Sequence, residues 1–126
     1  MSRTVVAISS FVMRGTVGLR AAVFALERRG ATVWAAPTVI LPWHPGLGPS
    51  TRAAVDPLPK QLDELAAHAG AVDLVLTGYF ASAAQVDAAA RFIKAVRETR
   101  RDALVVVDPV TGDENGRYVP DAVAEA

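Results

Sequence analysis

Short runs of apolar, β-branched residues alternate along this chain with stretches whose apolar residues have helical spacing. The runs predict strands that are buried on both faces. They cover Thr4–Ile8, Thr32–Ala36, Asp73–Thr77 and Leu104–Val107, with a further short apolar stretch at Thr38–Leu41. Helices are predicted over residues 16–29, 57–69 and 82–100. This alternation favours βαβ units, and hence an α/β fold with a mainly parallel sheet.

Local signals add detail to these elements. In helix 16–29 the residues at helical spacing are Val17, Ala21, Phe24, Ala25 and Arg28. Ser82 and Gln85 have the spacing of a capping box at the start of helix 82–100. Pro and Gly residues predict a long loop between Pro42 and Asp56. A last helix begins near Pro120, and the chain stops within it, so we expect a truncated protein or a fragment of a longer one.

Each predicted strand is followed by a small or polar group. Ser9 and Ser10 follow the first strand, Thr38 the second, Tyr79 the third and Asp108 the fourth. Ligands of open parallel sheets bind in the crevice beyond the carboxyl ends of the strands. The pattern therefore indicates a small-molecule site at that edge.

Composition narrows the class of protein. The 126 residues are enough for one domain, and 52% hydrophobic content is typical of a globular chain. Thirteen basic and thirteen acidic side chains cancel, so no overall field attracts nucleic acid or an anionic membrane. The absence of cysteine excludes disulfides and thiolate zinc sites. With no apolar run of about 20 residues and no signal peptide pattern, a cytoplasmic soluble protein is expected.

Two loops carry candidate chemistry. Asp108 directly follows an apolar strand, where burial of its charge is costly unless a cation or a ligand donor offsets it. Together with Asp113 it predicts a magnesium site, since Mg²⁺ binds through one or two carboxylates and substrate phosphates; a turn cap is the alternative. Gly15 and Gly18 do not form a dinucleotide or phosphate-loop motif, so a tight turn with close packing is the simpler interpretation.

Several motifs, in order along nearly the whole chain, jointly resemble the N-terminal half of pyridoxal kinases, which are ribokinase-like enzymes. They are Ser10-x-Val12-x-x-Gly15-x-x-Gly18, Thr38-Val39, Thr77-Gly78-Tyr79-x-x-Ser82, Asp108-Pro109-Val110-x-Gly112-Asp113 and Tyr118-Val119-Pro120. The resemblance implies a three-layer α/β/α, ribokinase-like fold that is truncated, with residues 1–126 as the substrate-side half of the kinase domain. It implies ATP-dependent phosphorylation of the 5′-hydroxyl of pyridoxal or a related vitamer, with Mg²⁺.

The resemblance also implies roles for single residues. On the substrate side it places Ser10, Thr38, His44 and Tyr79. On the nucleotide and metal side it places Asp108, Asp113 and Tyr118, with the two aspartates near the cation. It places the catalytic aspartate and the anion hole in the half beyond this chain, so we expect the isolated chain to be inactive.

The sequence departs from the family at two positions near the expected pocket. Phe11 and Leu19 are apolar where the family often has polar residues. The substrate therefore stays open between a B6 vitamer and another hydroxymethyl heterocycle such as hydroxymethylpyrimidine. A non-catalytic, self-associating α/β module is a further alternative. Half of such a sheet leaves an open strand edge, so we expect a homodimer.

Overall fold

The computed structural model describes residues 2–126, which form one main sheet, a small hairpin and four α-helices. The strands of the main sheet are β1 Thr4–Val12, β2 Thr32–Leu41, β3 Ala53–Ala54, β4 Leu74–Thr77 and β5 Leu104–Val107. The hairpin consists of β6 Gly112–Asp113 and β7 Gly116–Arg117. The helices are α1 Leu19–Arg28, α2 Leu58–Leu65, α3 Ala83–Thr99 and α4 Asp121–Glu125. None of these helices is long and apolar enough to cross a membrane.

The main sheet has the order β3-β2-β1-β4-β5. Its pairs β2–β1, β1–β4 and β4–β5 are parallel, and the two-residue strand β3 alone runs antiparallel. The prediction of a mainly parallel α/β sheet is confirmed. Strand β3 lies within the loop predicted over residues 42–56, because two alanines are too short a run to produce a strand pattern.

Helices cover both faces of the sheet. Val6 and Ile8 of β1 point into a core formed with α2 and α3, to which Leu62 and Phe92 contribute. Side chains alternate along a strand, so the neighbouring residue Ala7 points to the opposite face. Helix α1 contacts β1 and β2, and it covers that opposite face. The result is the predicted three-layer arrangement.

The first two strands are longer than predicted. Strand β1 continues to Val12, so Ser9 and Ser10 lie inside it and do not follow it. Strand β2 joins the two predicted apolar stretches through Pro37. Pro37 has no N–H to donate, and the β1–β2 register shifts beside it, between Ser9 and Phe11.

The residues that predicted α1 by their helical spacing do not form its buried face. Leu19 is buried and Val23 is half-buried, whereas Phe24 is 65% exposed and Val17 also faces solvent. The helix carries apolar residues on two sides, so spacing alone did not identify the stripe that packs on the sheet. The exposed ring of Phe24 lies under the guanidinium of Arg28, at 5.5 Å from its centroid.

The apolar run of β5 predicted a strand that is buried on both faces, but this prediction is wrong. Leu104 is 55% exposed and Val107 is 60% exposed. The strand lies at one edge of the sheet and pairs with β4 alone. Asp108 is consequently exposed as well, so the predicted cost of burying its charge does not arise.

Candidate functional site

A cavity of about 560 Å³ opens at the carboxyl edge of the sheet. The end of β1, the end of β2, the segment after β4 and the β6–β7 hairpin all contribute to its wall. The lining residues include Ser10, Val12, Val39, Leu41, His44, Arg52, Tyr79, Asp113, Arg117 and Tyr118. Its floor is apolar, because Val12, Val39 and Leu41 form a buried cluster against which Tyr79 packs.

The structure brings five of the seven predicted ligand-side residues to this cavity. They are Ser10, His44, Tyr79, Asp113 and Tyr118. Thr38 and Asp108 are not among the lining residues. Phe11 and Leu19 instead line a groove beside α1, so the two departures from the family pattern do not change the wall of the cavity.

Ser10 is held by a turn that approaches it closely. Gly15 and Gly18 both have positive φ, and a β-bridge joins Phe11 to Gly18. A Cβ atom at Gly18 would lie 2.6 Å from Ser10 Oγ. Only glycine therefore fits at this point, and the turn serves close packing and not phosphate binding by a recognised motif.

Thr38 is buried behind the cavity wall and does not line the cavity. Its side chain is fully buried, and its hydroxyl donates to the carbonyl of Tyr79 at 2.8 Å. The expected contact with a substrate is therefore replaced in this structure by a contact with the segment that carries Tyr79. Thr38 fixes the cavity wall from behind.

The Gln85 side chain forms hydrogen bonds with three separate segments of the backbone next to Thr38. Its side chain is 2% exposed, and its Nε2 donates to the carbonyls of Thr38 at 2.9 Å and Val55 at 3.3 Å. Its Oε1 accepts from the N–H of Ala81 at 2.9 Å. The predicted capping box is half formed, since Ser82 Oγ accepts from the Gln85 N–H at 3.3 Å while the Gln85 side chain turns inward. No sequence pattern predicted this inward role.

His44 has a defined tautomer. Its Nδ1 accepts a hydrogen bond from the N–H of Gly46 at 3.0 Å, at the start of the 3₁₀ turn Pro45–Leu47. An accepting Nδ1 carries no proton, so the ring proton is on Nε2. His44 can therefore offer an N–H donor at the cavity.

Asp113 and Tyr118 contact each other on the hairpin at the cavity mouth. The Tyr118 hydroxyl donates to Asp113 Oδ2, and the N–H of Asn115 donates to Oδ1 at 2.7 Å. The hydrogen bond from Tyr118, followed by that from Asn115, lowers the pKa of Asp113, and the same Tyr118–Asp113 bond raises the pKa of Tyr118. The contact is therefore fully formed across the neutral range, where Asp113 is ionised and Tyr118 is protonated.

The two aspartates differ as candidate magnesium ligands. Both side chains are exposed, but each oxygen of Asp113 already accepts one hydrogen bond within the hairpin. Within residues 2–126 no three histidine, cysteine or acidic side chains lie close enough to hold a metal ion. Each oxygen of Asp113 keeps a second lone pair, so both carboxylates stay predicted ligands of a site in which Mg²⁺ is bound mainly through substrate phosphates.

Sequence reasoning missed Arg52 and Arg117, which also line the cavity. Both lie in segments that read as loops, where a single arginine is normally a solvated charge. Arg117 donates to Asp121 at 2.7 Å. A β-pairing between residues 53–54 and 39–40 brings Arg52 to the cavity, and no sequence pattern predicted that pairing.

Known proteins are similar to this chain over nearly its whole length. No family model matches the chain. The curated pyridoxal kinase of Paraburkholderia xenovorans is 34% identical over 99% of this chain and 45% of its own length. The structure of pyridoxal kinase from Leishmania donovani in complex with ADP and pyridoxamine has a TM-score of 0.86 and 32% identity, over 97% of this chain and 46% of that one.

A further structural neighbour has a different name. It is a putative phosphomethylpyrimidine kinase from Bacteroides thetaiotaomicron, in a crystal form with pyridoxal. The TM-score is 0.84 and the identity is 28%, over 94% of this chain and 41% of that one. The chain thus spans less than half the length of the relatives that it matches.

Proposed function

Since this chain is similar throughout to the N-terminal half of pyridoxal kinases, with their ribokinase-like α/β fold, we propose that it is the substrate-side half of such an enzyme. The reaction is the ATP-dependent phosphorylation of the 5′-hydroxyl of pyridoxal or a related B6 vitamer. The observation that carries this proposal is the cavity at the carboxyl edge of the sheet, where Ser10, His44 and Tyr79 meet above an apolar floor. An aromatic ring with polar substituents suits such a wall.

The proposed cofactors are ATP and Mg²⁺. A neighbouring kinase structure contains ADP, which supports a nucleotide as phosphoryl donor. Asp108 at the end of β5 and Asp113 on the hairpin are the residues that we assign to the cation. When bound, Mg²⁺ neutralises charge on the transferred phosphoryl group. The cytoplasm remains the expected compartment.

Binding of a vitamer by this chain tests the proposal. We expect pyridoxine to bind, and Ser10→Ala to weaken binding by about 0.5–1.5 kcal/mol, the usual contribution of one hydrogen bond. Isothermal titration calorimetry measures both, and pyridoxine is suitable because it has no aldehyde to react with lysine. Ser2→Ala is the matched control, since Ser2 Oγ bonds the Gly30 carbonyl at the opposite end of the strands. No binding, or equal effects of the two substitutions, contradicts the proposal.

A second candidate function is self-association without catalysis, and the open edge of β5 favours it. Exposed edges pair with other chains unless they are blocked, and Leu104, Val106 and Val107 are all exposed there. We propose a homodimer through this strand, because two-fold pairs are the commonest closed assembly.

Sedimentation tests this association. At about 50 µM the chain should sediment as a dimer that buries on the order of 1,200 Å², and Val106→Lys should give a monomer because the lysine adds like charge to the edge. Leu47→Lys is the control, since Leu47 is also apolar and exposed but lies on the 3₁₀ turn Pro45–Leu47. A monomeric native chain, or a Val106→Lys variant that still dimerises, rules out this interface.

A kinase for a hydroxymethylpyrimidine is the remaining alternative within the same fold. The neighbour from Bacteroides thetaiotaomicron supports it by name. Titration of hydroxymethylpyrimidine beside pyridoxine decides between the two, because the tighter ligand identifies the heterocycle.

A further inference from the structure

The β6–β7 hairpin at the cavity mouth carries an asparagine followed by a glycine. Asn115 is the single asparagine of the chain, and Gly116 comes directly after it. Both residues line the cavity, and both are exposed. The proposed reaction gives this pair no role, so the pair is open to a chemistry of its own.

Asparagine is a thermolabile residue, and before glycine it converts without an enzyme. The backbone nitrogen of Gly116 loses its proton to base and attacks the side-chain carbonyl carbon of Asn115. A C–N bond forms there, the bond from that carbon to the side-chain nitrogen breaks, and ammonia leaves. Water then opens the succinimide ring: attack at the side-chain carbonyl gives aspartate, and attack at the main-chain carbonyl gives isoaspartate. Water is the sole co-reactant, and no group is oxidised or reduced.

The structure leaves this attack unhindered. Gly116 has a φ of 126°, and a Cβ atom at this position would meet no atom within 4 Å, so the ring has room to form. The hairpin pairs two residues of each strand and forms a sheet separate from the main one. A two-stranded hairpin is marginally stable by itself. It can therefore open locally, and bring the nitrogen to the carbonyl, while the main sheet stays folded.

The hairpin has no slack for the longer backbone of isoaspartate. Isoaspartate adds one carbon atom to the main chain of the two-residue loop 114–115, and it leaves a carboxylate beside Asp113. The two strands are already in close contact, because a Cβ atom at Gly112 would lie 2.5 Å from the Gly116 carbonyl oxygen. The register that sets Asp113 opposite Gly116 is therefore lost, and with it the hydrogen bond between Tyr118 and Asp113.

We propose that Asn115 is a site of spontaneous deamidation, and that the isoaspartate formed there removes Tyr118 from the cavity wall. The conversion and the opening of the hairpin depend on the chain alone. The effect on a ligand rests on the proposed function: the converted chain binds a B6 vitamer more weakly than the fresh chain does.

Intact-mass spectrometry tests the conversion. The folded chain and a synthetic peptide of residues 112–117 are kept at mildly alkaline pH, and the mass gain from amide to acid is followed in both. We expect the folded chain to convert at a rate within about tenfold of the peptide, because a weakly packed hairpin opens at little cost. Asn115→Gln is the control and should keep its mass, since attack on the longer side chain closes a less favourable ring. A native chain that keeps its mass while the peptide converts overturns the inference.

Hydrogen exchange and calorimetry test the consequence on the isoaspartate form, separated by ion exchange. In the fresh chain the Tyr118 N–H donates to the Thr111 carbonyl at 2.9 Å, and we expect this amide to lose protection after conversion. Pyridoxine should bind about two- to tenfold more weakly, which corresponds to the loss of about one hydrogen bond. Asn115→Asp is the matched variant, because it adds the same charge without lengthening the backbone. It should keep both the protection and the affinity.

The outcomes separate this inference from the proposed function. Native protection of the Tyr118 amide in the isoaspartate form, or native affinity of that form for pyridoxine, overturns the inference. An Asn115→Asp variant that loses as much protection as the isoaspartate form overturns the assignment to the backbone. Failure of the fresh chain to bind pyridoxine overturns the proposed function instead, and the mass and exchange measurements then still decide the inference.

Discussion

Replacing Gln85 by leucine should lower the free energy of unfolding by about 3 kcal/mol, because an unsatisfied buried polar group costs about 1–3 kcal/mol and several groups are affected. The Ala81 N–H loses its acceptor, and the carbonyls of Thr38 and Val55 each lose a donor. Both carbonyls keep one backbone partner, from Val55 and Leu58 respectively, so the loss is greatest at Ala81. Urea unfolding followed by circular dichroism measures the change.

Gln61→Leu is the matched control. Gln61 is an exposed glutamine on α2, and the same substitution there should change stability by less than about 0.5 kcal/mol. Gln85→Glu adds a second comparison, since it keeps the acceptor for Ala81 but sets a carboxylate against two carbonyls. If Gln85→Leu and Gln61→Leu unfold at the same urea concentration, the buried amide does not join the three segments as described.

The second large effect concerns catalysis. We expect the purified chain to show no ATP-dependent phosphorylation of pyridoxal, because the resemblance places the general base and the anion hole outside these 126 residues. No G-T-G-D segment occurs in the sequence. General acid–base assistance alone accounts for about 10²–10⁴-fold in rate. A coupled assay for ADP release measures the turnover.

Supplying the absent part should restore the reaction. Addition of the C-terminal part of the Paraburkholderia xenovorans relative, beyond the region matched here, should raise turnover at least about 10²-fold. Val106→Lys should reduce this rescue, because the exposed side chain of Val106 lies on the edge strand that a complementary half would cover. Turnover by the chain alone that is lost on Ser10→Ala would contradict the assignment of the base to the other half.

The order of strands and helices could be predicted from the sequence because each element is a short apolar run or a clear helical stripe. Which side of an element packs inward was harder. Helix α1 has apolar residues on two sides, so its sequence does not indicate whether Leu19 or Phe24 faces inward. Packing on the sheet buries Leu19 and leaves Phe24 exposed. Strand β5 has the composition of a central strand but lies at an edge of the sheet. Composition indicates that a segment favours the strand conformation, but it does not indicate how many strands pair with it.

For the candidate site, too, positions along the strands could be predicted but side-chain directions could not. Ser10 and Tyr79 could be predicted because they come near the ends of strands that must share an edge. Arg52 could not, because it reaches the cavity through a two-residue strand with no pattern of its own. Thr38 was predicted to follow the second strand, whereas it lies inside β2 and its hydroxyl donates to the Tyr79 carbonyl. Side-chain direction depends on tertiary contacts that the sequence does not display.

The position of β1 between β2 and β4 determines the order in which the cavity can be assembled. Pairing of β1 with β2 needs only the first third of the chain, whereas pairing of β1 with β4 closes a much longer loop. Closing long loops slows folding. Tyr79, whose carbonyl accepts from the Thr38 hydroxyl, follows β4, so the cavity wall is complete only when β4 has paired with β1. A ligand of the cavity therefore binds the completed fold alone, and it should protect the β1–β4 pairing from unfolding and from proteases by mass action.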